Sequence, residues 1–519
     1  VYKRQVEGGK TTYAVSSPRR RSEVADRPLK APLRGALVIG ARDEAAVLDR
    51  LREVVARATT GVAPPPAPPA EADLRSPVRI AIDYGDAAEL ASKGAKAIKA
   101  LESGNPGMWK ALRNQGVFLG HGEPGKVAFL YTGQGSQYVN MLSQLRAAES
   151  IVAERFVEAD QIMEPILGRP LSDYIFVDGE NEAAMRQADL QLRQTEITQP
   201  AVLSVDAALT DMLTAYGIHP DMVMGHSLGE YGALVAAGAL PFEDALEAVA
   251  GRGREMASVQ VDDNGLMAAV FAPLDEVIRV VEAVNEYVVV ANLNSTKQAV
   301  IGGSTPGVEA ASQVLEDAGA QVVPLPVSHA FHTRIVAPAG KPLQDLLRRL
   351  RLEPPAIPLV ANVDGEFYPM GGNAVPEMID ILGRQIASPV EFVKGLRTLR
   401  EAGCRVFVEV GPKKALHGFV EDVLGDDPQV VGLFSNHPKL GDITSFNHAL
   451  CGLYAAGLGL GTRADAAESV APIPAPPQPT TEHRPPSVPG PAVPDSTSPG
   501  PVPGGDVYSQ LGYLFADFL

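Results

Sequence analysis

The stretch 221–237, DMVMGHSLGEYGALVAA, constrains this chain more than any other. An apolar run, Met222 to Met224, stops at Gly225-His226-Ser227-Leu228-Gly229, and the small, helix-favouring residues from Glu230 to Ala237 follow. Strand, tight turn and helix form the setting that a G-x-S-x-G nucleophile elbow requires. The glycines at 225 and 229 let the backbone turn sharply and let strand and helix close on each other. Ser227 is then held at the tip, near a helix N-terminus, where an alkoxide or oxyanion is favoured. The bland alternative is an ordinary turn, because the pattern also arises by chance in a chain with 50 glycines.

An elbow of this kind belongs to an α/β fold, and the rest of the chain reads as one. Residues 1–31 are polar and basic, with Arg19, Arg20 and Arg21 in a row, and are expected to be disordered or the tail of a preceding domain. Strands over 36–40 and 78–83 and helices over 43–58, 87–102 and 108–115 predict a small α/β unit within 32–125. The segment 120–126, GHGEPGK, resembles a phosphate loop, but Val127 stands where Ser or Thr is needed and the loop precedes a strand. It reads as a plain connection. A buried strand over 127–131 runs into Thr132-Gly133-Gln134-Gly135-Ser136-Gln137, where Tyr138 breaks any dinucleotide fingerprint. Helices over 138–167, 181–193 and 199–216 lead to the elbow, and a helix over 243–259 carries Arg252 and Arg254.

From 266 to 327 the rhythm is β-α-β-β-α-β, a ferredoxin-like subdomain inserted into the larger α/β domain. The cleft between the two is the natural place for a ligand. A helix over 338–352, strands over 358–362, 406–410 and 430–433, and a helix from 415 complete the domain by about residue 463. Residues 464–505 are rich in Pro, Ala, Ser and Gly without periodicity and read as a disordered tether. Residues 506–519 read as the first helix of a following module.

Composition narrows the function. A net charge of −17 argues against nucleic acid and against a polybasic membrane contact. No uncharged apolar run reaches the roughly 18 residues of a membrane span. Cys404 and Cys451 fit no metal spacing and no disulfide framework, which points to the cytoplasm.

A serine at an elbow needs a base within hydrogen-bond reach. His226 is adjacent, but its side chain is expected to point away from that of Ser227. His329 and His332 follow the end of the inserted subdomain, where a loop can return to the elbow; either can instead be structural. Asp244, Glu247, Asp262 and Asp263 lie between serine and histidine, yet none sits on an obvious strand-end loop, so a backbone carbonyl is the alternative partner for the imidazole.

GQGSQ at 133–137, GHSLGE at 225–230, an Arg-Gly pair beginning 25 residues beyond Ser227, and HAFH at 329–332 occur in that order. Together they resemble the malonyl/acyl-CoA acyltransferase domain of polyketide and fatty acid synthases over 126–440. The preceding unit is similar to the linker between ketosynthase and acyltransferase, and 441–463 becomes a post-acyltransferase segment. The resemblance implies an α/β-hydrolase-like large subdomain with a nucleophile elbow and the ferredoxin-like subdomain at 265–327. It implies Ser227 as nucleophile, His332 as general base, and an oxyanion hole from the N–H groups of Gln134 and Leu228. Arg252 would bind the carboxylate of the extender unit, since a guanidinium fork matches a carboxylate. His329 and Phe331 would set specificity, with HAFH and Leu228 resembling the malonyl-selecting versions. Gln199 and Asn294 would line the site. The Gly411-Pro412 loop would lie behind His332 and offer the carbonyl that orients it. Thr333 replaces the commoner Ser, and Asn294-Ser295-Thr296 lacks the Pro often found there. Malonyl-CoA, an acyl carrier protein with its phosphopantetheine and an adjacent ketosynthase would be the partners, with no cofactor in the domain itself.

Two other functions share these motifs. A serine acyl hydrolase would use Ser227 and His332 but needs no arginine clamp. A non-catalytic docking module would need none of the three.

Overall fold

The computed structural model describes residues 30–460, together with two short paired strands near the N-terminus. The readings for 464–505, for 506–519 and for most of 1–31 lie outside the described residues. The strands in chain order are β1 (Gln5–Glu7), β2 (Lys10–Thr12), β3 (Gly35–Ala41), β4 (Val78–Tyr84), β5 (Val117–His121), β6 (Lys126–Tyr131), β7 (Met222–Gly225), β8 (Leu266–Phe271), β9 (Val288–Leu293), β10 (Gln298–Gly303), β11 (Gln321–Pro324), β12 (Leu359–Val360), β13 (Cys404–Val410) and β14 (Val431–Phe434).

The central sheet has the order β12-β7-β6-β13-β14, and every pairing in it is parallel. A parallel sheet is covered on both faces, so its strands are continuous apolar runs. Here Val127, Phe129 and Tyr131 of β6 enter one core while Ala128 and Leu130 enter the other. β13 divides in the same way, with Val406, Val408 and Val410 on one side and Phe407 on the opposite side. The helix Thr195–Ala215 fills the first core, and the helices Phe392–Glu401 and Ala415–Leu424 cover the second.

Register decides where the chemistry collects. Tyr131 pairs with Gly225 and with Val410, and Met224 pairs with Val360. The loops after β6, β7, β12 and β13 therefore leave the sheet along one edge. That edge carries Gln134, Ser227, Asn362 and Gly411. The chain leaves β6 toward β7 on one side and later returns to β13 on the other, so the order reverses beside β6. Ligands of open α/β sheets bind at such a reversal.

The inserted subdomain is an antiparallel sheet of order β11-β8-β10-β9, which is the ferredoxin-like arrangement expected from its element order. Ala268 and Val270 of β8 face its own two helices, Leu274–Ala283 and Thr305–Asp317. Met267 and Ala269 face the large subdomain. Backbone bonds from Leu293 N to Val390 O and from Val390 N to Ala291 O tie the two parts together at one end.

The N-terminal unit is an antiparallel sheet, β3-β4-β5, with the helices Glu44–Thr59 and Ala87–Ser103 on one face. β5 was not anticipated; the GHGEPGK segment contains its end and the connection to β6. The opposite face is covered by the helix Asp442–Ala455, also not anticipated. Asn447 of that helix donates to Asp83 Oδ1 (2.6 Å) and to the Gly35 carbonyl (2.9 Å). Elsewhere the expected helix over 138–167 is two helices, Ser143–Ala148 and Ser150–Leu167, and the strand over 358–362 keeps only two paired residues.

Candidate active site

Ser227 sits in the left-handed region at φ 54°, where a non-glycine side chain is strained. The glycines around it are dictated by contact. A Cβ on Gly225 would lie 1.9 Å from the Gly229 carbonyl carbon, and one on Gly229 would lie 2.1 Å from the Tyr131 carbonyl oxygen. The turn is held open from outside by Asn362. Its Oδ1 accepts from Ser227 N (2.6 Å) and its Nδ2 donates to Gly225 O (2.7 Å). The hydroxyl is left to face the cleft.

His332 stands opposite, also in the left-handed region at φ 59°. Its Nε2 is 2.7 Å from Ser227 Oγ. Its Nδ1 lies 3.0 Å from the Gln385 carbonyl and 3.1 Å from the Ser388 carbonyl. Carbonyls only accept, so the proton belongs on Nδ1 and the lone pair of Nε2 receives the serine O–H. Burial, reinforced by the Arg252 charge, pushes the imidazole pKa down to about 3. The ring is neutral at pH 7 and competent as a base. The carbonyl partner expected from Gly411-Pro412 is corrected here. Gly411 follows β13, which β6 separates from the elbow strand, and its neighbours are Thr132 and Asp206. The carbonyls come instead from the C-terminal end of the helix Ala374–Gln385 and the turn after it.

Arg252 is 1% exposed. Its Nη2 lies 3.4 Å from Ser227 Oγ and donates to Gln385 Oε1 (3.1 Å), and its Nε has no partner among the described residues. Burial lowers its pKa, but a guanidinium starts so far above neutrality that it remains charged. Glu230, fully buried, accepts from Gln385 Nε2 (3.0 Å), from Asn362 N (3.3 Å) and from the Tyr368 hydroxyl. Burial raises its carboxyl to about 7, against the opposing pull of those donors and of Arg252.

Ser227, Arg252, His332, Gln134, Asn294 and Phe331 all line one cavity of about 1520 Å³ between the two subdomains. That exceeds the few hundred to about 1,000 Å³ of common small-ligand pockets, so there is room for more than a short acyl chain. Leu228 begins the helix Gly229–Ala236 with its side chain buried. Asn294 Oδ1 is 2.7 Å from His226 Nε2, so His226 does point away from the nucleophile. Besides Leu228, two expected site residues do not line the cavity. His329 is 3.0 Å from the Val259 carbonyl through Nε2, held back by the segment after the arginine helix. Gln199 lies inside the helix Thr195–Ala215, fully buried, with neither amide atom partnered among the described residues.

Asn362, Gln385, Glu230 and Tyr368 escaped the sequence reading as parts of the site. For Asn362 a signal existed: it is the polar end of an apolar run placed beside the elbow. Gln385 and Tyr368 carry no local pattern.

A sequence-family model described as "Acyl transferase domain" matches residues 128–449. The chain belongs to the acyl transferase domain family. This acyltransferase is 36% identical to the malonyl CoA-acyl carrier protein transacylase of Bacillus subtilis over 57% of the chain and 90% of that protein. It is 34% identical to the spectinabilin polyketide synthase system protein NorB of Streptomyces orinoci, over 61% of the chain but 14% of that longer protein. Among solved structures, MCAT from Streptococcus pneumoniae aligns with a TM-score of 0.52 at 36% identity, over 60% of the chain and 95% of its own. A malonyl-transacylase solved with its type II PKS acyl-carrier protein aligns with a TM-score of 0.54 at 28% identity, over 63% of the chain and 99% of its own. These matches carry the α/β-hydrolase-like large subdomain and the ferredoxin-like insertion.

Proposed function

We propose that this acyltransferase moves a malonyl unit from malonyl-CoA to the phosphopantetheine thiol of an acyl carrier protein through an acyl-Ser227. The observation that carries this reading is the buried guanidinium of Arg252 within 3.4 Å of a serine hydroxyl that is 2.7 Å from a neutral histidine. A hydrolase of plain acyl groups has no use for that charge. A substrate with its own carboxylate does.

Ser227 Oγ attacks the thioester carbonyl while its proton passes to His332 Nε2. The oxyanion is held by the backbone N–H groups of Gln134 and Leu228, two amides from loops that leave the same sheet edge. Collapse breaks the C–S bond, and His332 returns the proton to the departing thiolate, giving CoA and malonyl-serine. The carrier thiol then gives its proton to His332 and attacks the ester. Collapse of the second intermediate breaks the bond to Oγ, which recovers the proton. The Arg252 fork holds the malonyl carboxylate throughout.

Phe331 is 7% exposed and lines the cavity wall, and in this reading its bulk disfavours an α-methyl group on the acyl unit. Malonyl is then preferred to methylmalonyl, by the modest factor that one methyl allows. The steps use side chains and backbone alone, without a resident cofactor. Among the described residues no group of three or more His, Cys, Asp or Glu is placed to hold a metal, and no helix is long and apolar enough to cross a membrane. The proposed setting is a cytoplasmic polyketide or fatty acid synthase. There 32–125 is the linker to a ketosynthase, 126–440 the acyltransferase and 441–463 its trailing segment.

The test is intact mass after mixing with malonyl-CoA, then with a holo carrier protein. One malonyl adduct that Ser227→Ala abolishes and the carrier discharges is expected. Hydrolysis without transfer would move the reading to an acyl hydrolase, and no adduct at all would end it.

A further inference from the structure

Gln385 makes more contacts with the reacting groups than any residue named so far. Its Nε2 donates to the Ser227 carbonyl (2.6 Å) and to Glu230 Oε2 (3.0 Å). Its Oε1 accepts from Arg252 Nη2 (3.1 Å), and its own carbonyl accepts from His332 Nδ1 (3.0 Å). The side chain is 1% exposed, so these bonds have no water competing for them. Nucleophile, base and guanidinium are thus joined through one residue.

The chemistry of the tether is as telling as its position. A buried arginine is ordinarily paired with a carboxylate, because an uncompensated charge in the interior is costly. Here the carboxylate in reach is Glu230, and Gln385 stands between it and Arg252. No direct bond between Glu230 and Arg252 is formed; the amide takes one partner on each end. An amide oxygen fixes the guanidinium by a hydrogen bond without cancelling its charge. A carboxylate in the same place would both fix and neutralise it, and the substrate carboxylate would then meet a saturated cation. The unpartnered Nε of Arg252 agrees with a fork left open.

We infer that Gln385 is a specificity-determining positioning residue: its neutral side chain aims Arg252 at the cleft and keeps the guanidinium charge available for a carboxylated acyl group. The inference rests on the malonyl reading above and names what makes it selective. Because Gln385 touches the machinery of every acyl transfer, its loss also slows all acyl groups. The diagnostic quantity is therefore the ratio between a charged and a neutral acyl group.

The experiment measures kcat and KM for malonyl-CoA and acetyl-CoA with the wild-type chain, Gln385→Glu and Gln385→Met. The glutamate keeps the shape, adds the charge and gives up the two bonds that Nε2 donates; the methionine keeps roughly the volume and removes all three side-chain bonds. In Gln385→Glu the malonyl-to-acetyl ratio of kcat/KM is expected to fall at least tenfold, mainly through KM for malonyl-CoA, as the carboxylate saturates Arg252. Gln385→Met is expected to lower the ratio less while reducing kcat for both. If Gln385→Glu does not fold, the ratio in Gln385→Met decides. An unchanged ratio in the folded variants, with both substrates slowed equally, overturns the inference and leaves Gln385 as scaffolding. A wild-type enzyme that does not load malonyl at all would instead overturn the function proposed above.

Discussion

Arg252 and His332 affect each other through charge, and this shapes what single substitutions do. Replacing Arg252 by alanine removes a buried cation that a substrate carboxylate would pair with. Truncating one partner of such a pair costs about 2–5 kcal/mol, or roughly 30-fold to several thousand-fold in kcat/KM for malonyl-CoA. Acetyl-CoA loading in Arg252→Ala is expected to be spared by comparison, and a radiolabel loading assay with the two substrates reads the difference. The same charge, after burial, holds the His332 pKa down to about 3. His332 is the active base above that value. Single-turnover acylation is therefore expected to stay flat as pH falls from about 8 to about 5, without the loss near the ordinary histidine pKa of about 6.5. An inflection near that value in the wild-type chain would show a solvated histidine.

The elbow argues the same point for an element. Gly229→Ala places a methyl 2.1 Å from the Tyr131 carbonyl, a backbone atom with little freedom to move. The helix Gly229–Ala236 must then shift away from β6, taking Leu228 with it. A loss of more than about 3 kcal/mol is expected, visible as a lowered melting temperature, with acylation lost even where the protein still folds. Asn362→Ala is milder. It strips the partners from Ser227 N and Gly225 O, at about 1–3 kcal/mol for polar groups left unsatisfied in the interior, and relaxes the strained serine. Its signature is a fall in kcat larger than the fall in stability. The elbow itself was legible because strand, glycine pair and helix are all local patterns. So were the continuous apolar runs of β6 and β13 and the element order of the inserted sheet. The helices Ala374–Gln385 and Phe392–Glu401 were not read, and the reason is physical. The first contains Pro376 and Gly383 and the second contains Gly395, residues that interrupt a helical pattern in isolation. Gly395 is required by packing, since a Cβ there would meet Met224 Cε of the elbow strand at 2.3 Å. Only tertiary contact reveals that the first helix brings Gln385 to the site and that Phe392 of the second packs in the core against the His226 ring.

At the scale of the whole molecule, the chain's N-terminal unit is completed by one of the last described elements. The helix Asp442–Ala455 lies on the open face of β3-β4-β5, and the junction centres on Asp83. That carboxylate is fully buried and accepts from Arg34 (2.8 Å), Lys93 (2.7 Å) and Asn447 (2.6 Å), with His448 Nε2 at 3.3 Å. Burial alone would raise its pKa, but the contacts with His448 and Arg34 and the Lys93 charge outweigh it and hold the group far below the usual carboxylate range. The sign of the linkage follows. A depressed folded-state pKa contributes stability that is fully present above the unfolded value of about 4 and is lost as pH falls toward the folded value. Asp83→Asn keeps the shape and removes the charge, leaving Lys93 and Arg34 with only the partly exposed Glu89 as a carboxylate partner. Breaking a buried pair from one side costs about 3–5 kcal/mol where the other charge is left alone, and less than that here because Glu89 remains. The variant is expected to melt earlier than wild type at pH 7 and to show a weaker loss of stability between about pH 4 and pH 2. Two-wavelength denaturation curves at these pH values check it. Asp83 lies in the N-terminal sheet, among none of the reacting groups, so loading of Ser227 at low temperature should persist while the N-terminal unit loosens. A variant as stable as wild type at pH 7 would show that the N-terminal sheet and the helix Asp442–Ala455 are held together by apolar packing and not by this buried charge.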